Sequence, residues 1–185
     1  MFPMLIDLEA VHVALAGDGE AALRRLEMLD AEGAKITVYA PEPSEALARA
    51  AGKRLVRQLP RVEDIGLARL LFVAGLDRAA AERLVGEARR AGVFVNTEDD
   101  PPLCDFHVPA IVRRGELVLT VSTGGASPAL ARILKRQLEV LFGESWARRV
   151  AEIAGWRKAW RDSGVSGSEL TARTEAAMNE RGWLS

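Results

Sequence analysis

Cysteine occurs once in the 185 residues, at Cys104. That excludes an internal disulfide and fits a reducing cytosol. Long apolar runs are missing too, and none approaches the roughly 20 residues a membrane helix needs. The opening MFPMLIDLEA has no basic stretch ahead of an extended apolar run, so no signal peptide is expected and a cytoplasmic location is. Charge of one sign is scarce: 25 Lys and Arg against 26 Asp and Glu leave a formal charge of −1. Generic nucleic-acid binding is therefore not expected, and any anionic ligand needs a local basic cluster. There are no repeats and no low-complexity tract. What remains is ordinary: 49% hydrophobic and 28% charged residues, enough for one medium domain with an appendage.

The stretch from Val11 to Pro41 organises the chain. Val11 to Ala16 is a short apolar run that ends in glycines too soon for a helix, so it reads as a buried strand. Gly17, Gly19 and Ala22 then form G-x-G-x-x-A, the dinucleotide fingerprint that ends in alanine. Gly17 permits the tight turn, Gly19 lets backbone approach a pyrophosphate, and Ala22 keeps the next helix close to the strand. Ala21, Ala22, Leu26 and Leu29 follow at helical spacing, with Arg24, Arg25 and Glu27 left for solvent. Gly33 stops that helix and Lys35 to Ala40 returns as a strand. The free N–H groups and dipole at such a helix start favour phosphate. Asp18 sits inside the turn, so its carboxylate must point away from a pyrophosphate. The second strand ends in Tyr39 and Ala40 rather than an acid for the ribose 2′-hydroxyl; Glu42 is near but displaced behind Pro41. NAD is the expected cofactor, with no strong ground in these residues against NADP.

Onward, Ser44 caps a helix over EALARAA that Gly52 stops, and Arg54 to Gln58 reads as a short third strand. Arg61 to Ala68 reads as a connecting turn with Ile65 and Leu67 packed inward. Leu70 to Ala74 is a central buried strand, Asp77 caps a helix that Gly92 ends, and Val93 to Asn96 is a fifth strand. Met1 to Leu8 is expected to tuck against the first strand. The pattern predicts an α/β fold, a Rossmann-type parallel sheet with helices on both faces. Ligands then bind at the carboxyl ends of the strands, which names three loops as walls: Gly17–Gly19, Ala74–Asp77 and Asn96–Asp105.

The character then changes. Pro109 to Arg113 and Glu116 to Ser122 flank Arg114-Gly115 as a hairpin. Thr123, Gly124, Gly125 and Ser127 lead into a helix capped by Ser127, with Pro128 first. Along Ala129 to Phe142, Leu130, Ile133, Leu134, Leu138 and Leu141 form one apolar stripe. A hairpin and one helix are too small to fold alone, so a homodimer is expected. The four tryptophans fall in the last forty residues, in a short helical tail broken at Ser163-Gly164 and Gly167-Ser168. The domains expected are 1–112 for the nucleotide, 113–145 for dimerisation and 146–185 for the tail.

Thr97 to Asp105 holds four carboxylates in nine residues, with two prolines fixing its path. A solvated acidic turn would explain it, but the nicotinamide half of a dinucleotide falls there. A carboxylate of this loop partly buried beside other acids would have a raised pKa and suit a base; capping a turn or holding substrate explains it equally. His107 reads either as a packed side chain in an apolar strand or as a proton or substrate contact. Glu98, Asp99, Cys104, Asp105 and His107 lack zinc-type spacing, so no resident metal is expected. Arg113, Arg114, Arg132, Lys135 and Arg136, with the N–H groups of the Thr123–Ser127 loop, could receive an anionic ligand. A solvated helix face explains Lys135 and Arg136 as well.

Three blocks make the chain resemble the precorrin-2 dehydrogenases, which also form the N-terminal module of siroheme synthase. They are the glycine turn followed by Arg24-Arg25, the run from Phe94 to Pro101 completed by Cys104 to Ala110, and the run from Val121 to Arg132. The resemblance implies oxidation of precorrin-2 to sirohydrochlorin with NAD, and in some members insertion of ferrous iron. It places the key carboxylate at Asp99 and cofactor contacts at Glu20, Ala21, Pro41 and Glu42, beside Gly17, Gly19 and Ala74. It makes the hairpin and its helix a dimerisation region. The chain departs from the family at Asp18, where glycine is usual, at Gly75-Leu76-Asp77 and at Ala81. Two other readings stand: a dimeric module that senses NAD without chemistry, which leaves the acidic loop unexplained, and a different NAD-dependent oxidoreductase.

Overall fold

The apolar run after Val11 has no side that can face water, and it becomes the middle strand of a sheet. In a computed structural model that describes residues 2–183, β1 (His12–Gly17) lies between β2 (Lys35–Tyr39) and β4 (Leu70–Ala74). Outside them are β3 (Leu55–Val56) and β5 (Phe94–Thr97), giving the order β3-β2-β1-β4-β5. Every pairing is parallel. Strand order reverses at β1, so the crevice for a ligand opens between the carboxyl ends of β1 and β4. The third strand is shorter than the run from Arg54 to Gln58 suggests, because Gly52–Arg54 winds into a 3-10 turn first.

Both sheet faces are buried, as continuous Val, Leu and Ala strands require. Leu26 and Leu29 of α1 (Gly19–Ala31) and Leu47 of α2 (Glu45–Ala51) join Val13, Leu15, Val38 and Phe72 in one layer. Leu84, Val85 and Ala88 of α4 (Arg78–Arg90) join Ala14, Leu71, Val73 and Val95 in the other. The stretch expected to be a connecting turn contains a short helix, α3 (Val62–Gly66), with Ile65 fully buried. Leu67 is not inward: it is 76% exposed, because residues two apart on a helical turn point to nearly opposite sides. Among the described residues near the start, Leu8 packs on the core, while Phe2, Met4 and Leu5 stay exposed rather than covering β1. Met1, and Leu184 and Ser185 of the expected tail, lie outside the described residues.

The chain divides after Val108 into two compact units. The second holds an antiparallel hairpin, β6 (Ala110–Arg114) and β7 (Leu117–Val121), with α5 (Pro128–Leu141), α6 (Ser145–Asp162) and α7 (Gly167–Glu180). Ser127 caps α5, its Oγ accepting from the Leu130 N–H at 3.2 Å. No residue of α5 is buried, and Leu130, Ile133, Leu134, Val140 and Leu141 are exposed. The tail breaks after Asp162 as expected, but Gly167 opens α7 rather than interrupting a helix. Trp156 stacks on Trp183 at 5.5 Å, and the Arg181 guanidinium lies 4.2 Å from the Trp156 ring centre. These contacts clasp α7 to α6 by aromatic and cation–π attraction.

Candidate active site

The turn after β1 is tight because two backbones meet there. Gly17 has φ +136 and a Cβ on it would lie 1.7 Å from the Ala74 carbonyl oxygen. Gly75, at φ +71, approaches from the other side, and its Cβ would lie 2.0 Å from the Asp18 carbonyl. The Asp18 N–H donates to the Ala74 oxygen at 3.2 Å. The turn thus uses a third glycine, supplied by the loop after β4. Gly75 stands out in the sequence only as a departure from the family pattern; its positive φ and the crossing backbone are tertiary facts.

Gly19 differs from these two. Its φ is +75, yet nothing stands within 4 Å of where a Cβ would be. Asp18 occupies the N-cap of α1 but makes no side-chain cap. Its carboxylate turns away, as expected, and accepts the Ser44 N–H at 3.0 Å and the Ser44 hydroxyl at 3.0 Å. Burial would raise the Asp18 pKa, but the N–H groups of Ser44 and Gly19 and the Ser44 hydroxyl outweigh it and hold it below the ordinary carboxylate value. The first-turn N–H groups of a 13-residue helix are therefore left without a side-chain cap, beside an open glycine. That is the cradle a pyrophosphate needs, so the residues present fit a dinucleotide.

Around this cradle, Ala74 ends β4 in the buried core and Ala21 is half-buried on α1. Pro41 and Glu42 are exposed after β2. Glu20 is exposed and bridges to Arg24 at 2.9 Å. Arg25 does not face solvent as its spacing suggested. Its side chain is only 15% exposed, with the guanidinium 5.0 Å from the Phe72 ring centre and 3.9 Å from Glu98. The long stem follows the apolar sheet while the charge reaches the rim.

The acidic loop is held by arginines from the two helices beside it. Arg24 of α1 meets Glu98 at 3.2 Å, Arg78 of α4 meets Asp100 at 3.0 Å, and Arg89 of α4 meets Asp105 at 2.9 Å. Asp105 also accepts the Val95 N–H at 3.0 Å and donates its own N–H to the Val95 oxygen at 2.7 Å, closing the outer edge of β5. Cys104 ties the loop's neck: its Sγ accepts the Thr97 N–H at 3.2 Å and donates to the Thr97 oxygen at 3.1 Å. Burial raises the thiol pKa, and the two bonds to Thr97 make Cys104 a hydrogen-bonding strut.

Asp99 is what this scaffold leaves over. Among the described residues it is the one carboxylate of the loop without an ion pair or hydrogen bond. It is the one described non-glycine residue with positive φ, +58, a conformation Asp tolerates better than most side chains. The side chain is exposed, which corrects the expected partial burial. His107 is also exposed, in an irregular segment rather than an apolar strand. The reason is local: Asn96 donates to the Phe106 oxygen at 2.9 Å and Phe106 packs edge-on to Phe72 at 5.4 Å, so Phe106 turns in and its neighbour turns out. No group of three or more His, Cys, Asp or Glu that could hold a metal is found among the described residues.

The remaining candidates lie in the second unit. Thr123 and Ser127 clasp the glycine loop: the Ser127 N–H donates to Thr123 Oγ1 at 3.0 Å, and that hydroxyl donates to the Ser127 oxygen at 3.1 Å. Gly124 and Gly125 between them are exposed at φ +63 and +87. Arg113 and Arg132 are exposed. Arg114 is drawn inward instead, donating to the Phe142 oxygen at 2.8 Å. The second unit carries 12 basic against 8 acidic side chains, a net +4, and the first 13 against 18, a net −5. The near-zero total hides this division.

The chain is similar to known proteins along both of its units. Residues 4–110 match an NAD(P)-binding family model, and residues 114–141 match the central region of sirohaem biosynthesis proteins. A siroheme synthase of Methylobacillus flagellatus is 35% identical over 96% of this chain and 42% of its own length. Siroheme synthase 2 of Aeromonas salmonicida is 40% identical over 76% of this chain and 29% of its own. The chain spans less than half the length of these relatives. A solved structure described as SirC, precorrin-2 dehydrogenase, superposes with a TM-score of 0.77 at 27% identity, covering 100% of this chain and 93% of that one.

Proposed function

This chain belongs to the NAD(P)-binding family, in the branch that includes siroheme synthases and precorrin-2 dehydrogenase, and from that premise we propose that it oxidises precorrin-2 to sirohydrochlorin with NAD. The carrying observation is the bare Asp99 at the carboxyl end of the sheet, with its three acidic neighbours neutralised by Arg24, Arg78 and Arg89. Bound NAD supplies the hydride acceptor. The chain supplies the rest. Gly17 and Gly19 with the α1 N–H groups, Glu20 and Ala21 grip the pyrophosphate side, Pro41 and Glu42 flank the adenosine ribose, and Ala74 lines the crevice. Asp99 takes the proton that leaves the macrocycle. Within the basic second unit, Thr123, Gly124, Gly125, Ser127, Arg113 and Arg132 are candidates to receive substrate carboxylates, and His107 is a separate candidate on the first unit. No helix among the described residues is long and apolar enough to cross a membrane, and the enzyme acts in the cytoplasm without a membrane or nucleic-acid partner.

Anaerobic incubation with precorrin-2 and NAD is expected to give the sirohydrochlorin spectrum with one NADH per turnover. Ferrous iron added afterwards reports whether chelation follows. Nucleotide binding without any spectral change in the first step would leave a sensing module as the function.

The same reading makes the protein a homodimer through α5. Ile133, Leu134, Val140 and Leu141 are exposed on α5, with Arg136 and Gln137 beside them, and covering an apolar face of this kind stabilises by about 25 cal/mol per Å². Sedimentation should show twice the chain mass. Replacing Ile133 and Leu134 together by Asp should give a folded single chain, because two unpaired charges cannot be buried in the interface.

A further inference from the structure

The donors that would recognise a 2′-phosphate on the cofactor have been removed from the loop after β2. That loop, Ala40-Pro41-Glu42-Pro43-Ser44, lies where a Rossmann sheet meets the adenosine ribose. Two of its five residues are prolines and have no N–H. The Ala40 N–H donates to the Val56 oxygen at 3.0 Å. Both donors of Ser44, its N–H and its hydroxyl, point at the Asp18 carboxylate at 3.0 Å. Only the Glu42 N–H is left, next to that residue's own carboxylate. No Lys or Arg stands between Tyr39 and Arg49. The nearest cation in the sheet register is Arg57, which follows the Val56 that pairs with Tyr39.

We infer that Asp18 is a specificity-determining residue: by holding both Ser44 donors and placing a fixed negative charge between the β1 turn and the β2 loop, it excludes NADP in favour of NAD. A phosphate dianion there would meet Asp18 and Glu42 with a single backbone donor to receive it. The ribose diol of NAD carries no charge and can donate to those same carboxylates. The sequence alone makes Asp18 look like damage to the fingerprint, since glycine would serve the turn. Its partner is 26 residues away, so its use becomes visible only in the folded chain. The inference rests on the reading of this site as a dinucleotide site.

Calorimetric titration of the whole chain with NAD and with NADP separates the two. NAD is expected to bind at least tenfold more tightly than NADP. Asp18→Asn, which keeps the shape and removes the charge, should lower the NADP dissociation constant at least tenfold. Asp18→Gly, which also frees the Ser44 donors, should lower it further, with the folded state of each variant checked by thermal unfolding. Should both variants unfold, the wild-type chain still decides the matter. Raising salt from about 0.02 M to about 0.5 M should narrow its NADP-to-NAD ratio at least threefold by screening the repulsion. Equal wild-type binding of the two nucleotides overturns the inference, as does an NADP affinity unmoved by both variants. Strong NADP binding abolished by Arg57→Ala overturns it too, by showing that Arg57 receives the phosphate. Binding of neither nucleotide would instead refute the dinucleotide reading itself.

Discussion

Turnover of precorrin-2 is expected to fall about 10²–10⁴-fold in Asp99→Asn, the range a general base contributes, while NAD affinity stays within about threefold. Asparagine is the informative replacement. Asp99 sits at φ +58, and Asn accepts that conformation as readily as Asp, whereas Ala adds backbone strain to the loss of the carboxylate. Asp99→Ala should therefore lose turnover to the same degree and also loosen the loop. The scaffold makes the effect specific. Glu98, Asp100 and Asp105 are each held by an arginine, so each would have to give up an ion pair to swing into the vacancy. Two measurements separate a base from a residue that only holds substrate. Loss of a base lowers kcat and removes the acid limb of the pH profile; loss of a substrate contact raises KM and leaves the limb in place. A variant with normal turnover would remove Asp99 from the mechanism.

Gly75→Ala is expected to be strongly destabilising, costing at least about 3 kcal/mol from positive-φ strain plus overpacking. For a chain of this size that lowers the melting temperature by about 6–12 °C. The new Cβ would lie 2.0 Å from the Asp18 carbonyl oxygen, and the backbone that would have to yield is the glycine turn itself. Gly19→Ala makes the opposite case. Its Cβ meets nothing within 4 Å, so the variant should fold with a penalty of about 1–2 kcal/mol for a positive φ. NAD affinity should nonetheless fall at least tenfold, because the methyl group fills the approach to the α1 N–H groups. Differential scanning calorimetry and nucleotide titration on the two variants read both effects. Gly75→Ala melting within about 2 °C of wild type would mean that β1 and β4 do not meet as closely as the structure has them. Unaltered NAD affinity in Gly19→Ala would place the pyrophosphate elsewhere.

The sequence by itself determined the strands, the helices and most of their ends, because those depend on near neighbours. A run such as Leu70 to Ala74 is buried on both sides wherever it goes, and Ser44, Asp77 and Ser127 cap the helix that begins at the next residue. The alternation of strand and helix then admits little but a parallel sheet, and the glycine turn marks its carboxyl end as the binding edge. Leu67 and His107 show the limit of that logic: each follows a plausible local pattern, and each is turned outward by what its neighbour packs against.

Only the tertiary structure decided which charges are free. Arg24 and Glu98 are 74 positions apart, Arg78 and Asp100 22, and Asp18 and Ser44 26. Four acids in one loop look alike until the helices on either side pair three of them with arginines. Gly75 likewise looks optional until the β1 turn is laid against it. An ion pair or a backbone clash depends on distance through space, and the chain brings such groups together only when the sheet between them has closed.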